Sequence, residues 1–228
     1  MRIFTIPNFI TLGNLLCGCL GLMFVFEGDL KTASYCIFMA LILDFFDGFV
    51  ARLLKSASEI GKELDSLADV VSFGVLPAFM LFAILKNTDQ LFEYQHYIAL
   101  ILALASALRL AKFNIDTRQS DSFIGVPTPA NGMIIAALPF IISEPGLYGH
   151  MCSNTYVLLA YAFVMSYLLN AELPLFALKF KDFSWANNSF RFVFLILALV
   201  LILVFKIAAL PLIILSYIVF SIFLDFRN

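Results

Sequence analysis

The chain has 228 residues, 62% of them hydrophobic and only 13% charged, with a mean hydropathy of +0.98 and a formal net charge of −2. A soluble globular domain is nearer half apolar and a quarter charged, so the composition excludes that class and indicates an all-α polytopic membrane protein. No basic tract or stripe is present, which excludes a nucleic-acid partner.

About eight apolar segments are long enough to cross or nearly cross a bilayer: 8–26, 32–54, 64–85, 95–113, 128–144, 154–171, 189–206 and 208–225. The fifth carries Pro139, and the last two are separated only by Lys206 and Pro211, so they also read as one long broken helix. The expectation is one integral membrane domain over 1–228, with a core over about 1–171 and two further helices over 189–225. If the N-terminus is cytoplasmic, one side collects Arg2, Arg52, Lys55, Lys62, Arg109, Lys112, Arg118, Lys179, Lys181, Arg191 and Arg227, and the other only Lys31, Lys86 and Lys206. That bias places both termini in the cytoplasm. No cleavable signal peptide is expected, because Arg2 is the only early charge and the first apolar run continues too long.

The first span opens on Pro7, and Asn8, Thr11 and Asn14 recur every three residues as a polar stripe at its cytoplasmic end. Gly13, Cys17 and Gly21 form a small-xxx-small pattern suited to close helix packing. Cys17, Cys19, Cys36 and Cys152 show no ligand spacing and read as buried small hydrophobes. His96 and His150 read as solvated residues of short loops.

The second and third spans carry four aspartates in a largely apolar setting, Asp44, Asp47, Asp65 and Asp69, at spacings of three, eighteen and four. At 100° per residue Asp44 and Asp47 share a helix stripe with Gly48 and Ala51, and Gly61, Asp65 and Asp69 make a second. Carboxylates in a membrane span cost several kcal/mol each unless something pairs with them, and only Arg52 lies close along the chain. Hard oxygen ligands without soft ones suit Mg²⁺, Mn²⁺ or Ca²⁺. Two divalent cations would balance the four charges and leave positions open for a phosphorylated substrate. A structural cation site, or the ion path of a cation- or proton-coupled transporter, would account for the same carboxylates.

The fourth span closes on Arg109, Lys112 and Asn114, on the side of the aspartates. The positive-inside bias and the helix dipole would also place basic residues there. Gly125, Pro127 and Pro129 follow in a loop of restricted shape that leads through Thr128 and Asn131 into the fifth span. Residues 178–192, with Trp185 and several phenylalanines, read as an amphipathic cytoplasmic connection.

Read together, Asp44, Asp47, Gly48, Ala51, Arg52, Gly61, Asp65 and Asp69 match eight constrained positions across 26 residues. The pattern resembles the signature of the CDP-alcohol phosphatidyltransferase family, over about the first 135 residues. The resemblance implies an integral membrane enzyme, here expected in a prokaryotic cytoplasmic (inner) membrane, and the charge bias places its active site on the cytoplasmic face. It implies transfer of a phosphatidyl-type group from a CDP-linked lipid to an alcohol, with release of CMP, and a homodimer. Carried over by position, the four aspartates are the ligands of two divalent cations, Mg²⁺, Mn²⁺ or Ca²⁺, and Asp69 is also the general base. Gly48, Ala51, Arg52 and Gly61 would cradle the CDP donor, with Asn8 and Thr11 roofing the cytidine. RLAKFN (109–114) and FIGVPTPANG (123–132) are similar to stretches of the phosphatidylserine synthase branch of that family, departing from it at Lys112 and Val126. This implies CDP-diacylglycerol and L-serine as substrates, with Arg109, Lys112 and Asn114 on the acceptor. Glycerol 3-phosphate or inositol phosphate as acceptor would also call for basic residues there.

Overall fold

A computed structural model describes residues 4–116, 123–175 and 185–225. Arg2, Arg118, Lys179, Lys181, Arg227 and the first part of the expected 178–192 connection lie outside the described residues.

α1 (Ile6–Glu27) and α2 (Leu30–Leu53) form a tight hairpin. Gly28 makes the turn at φ +84°, where a side chain is strained, and the amide of Asp29 reaches back to Phe24 O at 2.9 Å. Asp29 then caps α2 by accepting from Thr32 N at 3.0 Å. Hydrogen bonds from Thr32 hold the exposed Asp29 carboxyl below the usual carboxylate range.

The next span is one helical rod from Glu59 to Lys86 built in three parts: α3 (Glu59–Asp69), a π-helical segment (Val70–Val75) and α4 (Leu76–Lys86). The chemistry around Pro77 accounts for the middle part. Proline lacks the amide that would bond Phe73 O, and its ring crowds that carbonyl, so the ladder widens and Leu76 N bonds Val71 O instead. The Ser72 hydroxyl also donates to Ala68 O at 2.9 Å.

A 3₁₀ turn (Gln95–Leu100) leads into α5 (Ile101–Ile115), which returns toward the end where α3 begins. α6 (Thr128–Ser143), the short α7 (Leu147–Cys152) and α8 (Thr155–Asn170) follow. Two-residue strands, β1 (Phe123–Ile124) and β2 (Pro174–Leu175), pair antiparallel and tie the start of α6 to the end of α8, an addition to the all-helical expectation. Gly125 fits there at φ +76°, since a Cβ would lie 2.7 Å from Leu169 O.

α9 (Trp185–Phe205) and α10 (Ala209–Asp225) are two helices, not one broken one. Lys206 turns the chain at φ +52°, and the Phe194 ring packs on both Tyr217 and Phe220 at 5.7 and 6.2 Å, as only a folded-back hairpin allows. Its tip meets α7, where the Tyr148 hydroxyl donates to Ala208 O at 3.1 Å.

Among the described residues, four helices are long and apolar enough to cross a membrane, namely Ile6–Glu27, Glu59–Lys86, Gln95–Ile115 and Ser189–Ile222 taken through its turn. α6 and α8, at 16 residues each, are apolar but shorter than a bilayer core. The chain is a helical protein with the make-up of a polytopic membrane protein.

The apolar core lies where α1, α2, α4, α5, α6 and α8 meet, around Phe73, Leu76, Met80, Leu81, Leu102 and Ile135. Small residues set the approaches. Gly13 faces Leu43, Gly21 faces Leu76 and Cys36, and Gly18 lets the backbone of Ser72 come within 3.0 Å of a Cβ position. Gly18, outside the expected Gly13–Cys17–Gly21 stripe, is thus the point of backbone contact. Two minor expectations are corrected. Cys19 is exposed rather than buried, and His96 is not a solvated loop residue but packs edge-on against Phe82 and tilted against Tyr97, each at 4.7 Å.

Candidate metal centre and donor cavity

The two aspartate stripes meet. α2 brings Asp44 and Asp47 at its last turns, α3 brings Asp65 and Asp69, and α1 covers them with its first turns. Ser58 caps α3 by accepting from Gly61 N at 3.1 Å, which fixes the start of the second stripe. One carboxylate oxygen each from Asp44, Asp47 and Asp65 lies within 4.8 Å of the others, and Asp44 also lies against Asp69.

The polar stripe of α1 serves this cluster directly. The Thr11 hydroxyl donates to Asp47 Oδ2 at 2.7 Å, and Asn14 Nδ2 donates to Asp69 Oδ1 at 3.1 Å. Asp47 and Asp69 are 6% and 7% exposed, and Asn14 is fully buried. Hydrogen bonds to a charged acceptor contribute about 1.5–3 kcal/mol each, too little to offset the burial of several carboxylates. At 4.8 Å and an effective dielectric near 20, each ionised pair repels by about 3 kcal/mol. Among the described residues no lysine or arginine pairs with any of the four. Asp65 Oδ1 and Asn14 Oδ1 are buried without a hydrogen-bond partner. Uncompensated hard oxygens on converging carboxylates fit a divalent cation, and nothing in the donor set suits a soft metal.

Beside the cluster opens a cavity of about 250 Å³ lined by Asn8, Thr11, Asp47, Gly48, Ala51, Arg52, Gly61 and Asp65. Every residue expected to cradle the donor therefore borders one space. At Gly48 a Cβ would lie 3.7 Å from an Arg52 guanidinium nitrogen, an ordinary contact, so Arg52 lies directly over the glycine. Gly61 allows a close approach, because a Cβ there would sit 3.2 Å from Asn8 Oδ1 and from Ser58 Oγ. Thr11 has two roles in the geometry, wall of the cavity and hydrogen-bond donor to Asp47.

The acceptor candidates separate. Arg109 is 6% exposed, donates from Nε to Val126 O at 2.9 Å, stacks over the Phe113 ring at 5.3 Å and is close enough to Asp69 to interact with its charge. Asn114 donates from Nδ2 to Ser66 Oγ at 2.9 Å and so holds α5 to α3. Lys112 turns away from the aspartates to Glu172, at 3.6 Å. Of the three, Arg109 interacts with an aspartate of the cluster, Asn114 reaches the neighbour of Asp65, and Lys112 pairs elsewhere. Three further residues belong to the site without a role that the sequence assigns them. Asn14 stands in the chain only as part of a polar stripe, and Ser58 and Lys62 line the cavity without belonging to the motif. Lys62, next to Gly61 and one turn before Asp65, carries a readable positional signal.

Residues 4–168 match the family model of CDP-alcohol phosphatidyltransferase, a span that holds all four aspartates and the whole cavity. The chain belongs to the CDP-alcohol phosphatidyltransferase family. Among curated proteins, the CDP-diacylglycerol–serine O-phosphatidyltransferase of Bacillus subtilis is 36% identical over 155 residues, 68% of this chain and 86% of that protein. The protein of the same name from Helicobacter pylori (strain ATCC 700392 / 26695) is 31% identical over 206 residues, covering 88% and 83%. That from Methanocaldococcus jannaschii is 36% identical over 143 residues, covering 63% and 64%. The α9–α10 hairpin lies outside the family match but partly inside the Helicobacter alignment's reach by coverage.

Proposed function

We propose that the protein is a CDP-diacylglycerol–serine O-phosphatidyltransferase, transferring the phosphatidyl group to L-serine with release of CMP. The observation that carries the reading is the convergence of three carboxylates, two of which, Asp47 and Asp65, also line a cavity walled by Gly48, Ala51, Arg52 and Gly61. Asp44, Asp47, Asp65 and Asp69 would hold two divalent cations, Mg²⁺, Mn²⁺ or Ca²⁺. When bound, these ions neutralise the diphosphate and the charge that develops as its bond to CMP breaks. Arg52 forks onto phosphate oxygens from the opposite wall. Asn14 orients Asp69, which accepts the proton of the serine hydroxyl as that oxygen attacks the lipid-linked phosphorus. The new phosphorus–oxygen bond forms as the bond to CMP breaks, and CMP leaves with the electron pair. Arg109, beside Asp69, offers its charge to the serine carboxylate. Names of the relatives support serine as acceptor.

The positive-inside bias supports a cytoplasmic active site and both termini on that side, and the eight apolar segments of the chain support eight crossings of a prokaryotic inner membrane, with residues 1–171 as the catalytic part of one domain. A homodimer belongs to the same reading.

Purified protein in detergent, given CDP-diacylglycerol and Mg²⁺ or Mn²⁺, is expected to release CMP when serine is added. Asp69→Asn is expected to lose at least about a thousandfold in kcat. CMP release with glycerol 3-phosphate or inositol phosphate instead of serine overturns the acceptor. No CMP with any alcohol overturns the enzyme and favours an ion path.

A further inference from the structure

Arg52 and Lys62 are the cationic side chains among the residues lining the cavity. Arg52 belongs to the eight-position motif; Lys62 does not. Lys62 lies on α3 beside Gly61 and three residues before Asp65, so its stem leaves the helix on the side of the cavity wall. Its exposed ammonium donates to Asn114 O at 2.8 Å. That carbonyl belongs to the last turn of α5, which has no intrahelical donor and is served equally well by water. The bond is replaceable, and the charge on Lys62 has no carboxylate partner in the structure among the described residues.

The charge balance shows what that ammonium is for. Two divalent cations offset four carboxylates, which leaves the two negative charges of a diphosphate diester to be met. Arg52 meets one of them. We propose that Lys62 meets the other, leaving Asn114 O to bind the donor's diphosphate across the cavity from Arg52. A flexible point charge with rotatable donors suits a phosphate oxygen that arrives and departs in each cycle. This assignment rests on the cavity being the CDP-donor site. It predicts discrimination between a diphosphate and a monophosphate, because the ammonium and the Arg52 guanidinium would each serve a different phosphate group and CMP has only one.

Isothermal titration calorimetry with Mg²⁺ tests it, using CDP and CMP as probes against the wild-type protein, Lys62→Gln and Lys62→Arg. Glutamine can still donate to Asn114 O but carries no charge, so a role confined to holding α5 survives that change. Lys62→Gln is expected to weaken CDP about tenfold and CMP less than about threefold, while Lys62→Arg stays within about threefold of wild type for both. The thermal midpoint of Lys62→Gln is expected to match wild type. Equal CDP affinity in Lys62→Gln, or equal losses for CDP and CMP, overturns the proposal while leaving the donor site standing. A wild-type protein that binds neither nucleotide overturns both.

Discussion

Asp65 has one oxygen that is buried and without a hydrogen-bond partner, and two other carboxylates within 4.8 Å. When all three are ionised it repels them, and with a cation it would become a ligand. The sign of a substitution therefore depends on the ion. In detergent without divalent cations, Asp65→Asn is expected to raise the thermal midpoint by at least about 3 °C, since it removes the charge that two neighbouring carboxylates repel and about 1 kcal/mol of net relief suffices on a chain of this length. Added Mn²⁺ should raise the wild-type midpoint further and leave the variant's unchanged. Differential scanning fluorimetry reads both, and a variant that still responds to Mn²⁺ removes Asp65 from the ligand set. Arg109 gives a second expectation. Its Nε is committed to Val126 O, and the rest of its guanidinium is left for the acceptor. Arg109→Lys keeps a charge but loses the fork, so the KM for serine should rise about tenfold with the KM for CDP-diacylglycerol unchanged. An unchanged serine KM excludes Arg109 from the acceptor.

The rod from Glu59 to Lys86 is the element on which the site depends. Its first part presents Asp65 and Asp69, and its π-helical middle begins at the residue after Asp69. A π segment advances the side chains by a different angle from an α-helix, so it sets how the aspartates above it face relative to the core contacts of Phe73 and Leu76 below. Gly18 and Gly74 seat that segment between α1 and α5: a Cβ on Gly74 would lie 2.9 Å from Ser106 Cβ. Gly74→Ala is expected to cost about 1–3 kcal/mol by overpacking and to lower kcat about tenfold. Adding Ser106→Gly should restore most of both. If the double variant is no better than the single one, the pair is not what positions the segment.

Across the molecule, one end collects the start of α1, the end of α2, the start of α3 and the end of α5, and with them Arg52, Lys62, Arg109 and Lys112. The other end carries Lys31, Lys86 and the α9–α10 tip with Lys206. The two ends are distinguishable by labelling in whole cells. In a background with the native cysteines replaced, Ser58→Cys at the cavity should react with a membrane-impermeant maleimide only in broken cells, and Glu93→Cys should react in intact ones. The opposite pattern inverts the orientation.

Much of this is legible along the chain because its information is local. Aspartates at spacings of three and four share a helix face by geometry alone, and the missing counter-charge follows from counting. Helix positions are visible because an apolar run of bilayer length is seldom anything but a spanning helix. Pairings between helices are not legible. Nothing in the chain says that Asn14 serves Asp69 and Thr11 serves Asp47, that Lys112 turns to Glu172, or that Gly18 rather than Gly13 carries the closest backbone approach. Those depend on how much each helix rotates about its axis, which the summed packing of its neighbours decides. The four carboxylates and the charge they leave unbalanced are thus a property of the sequence. Which polar groups orient them, and which cationic side chains border the cavity beside them, is a property of the packed helices.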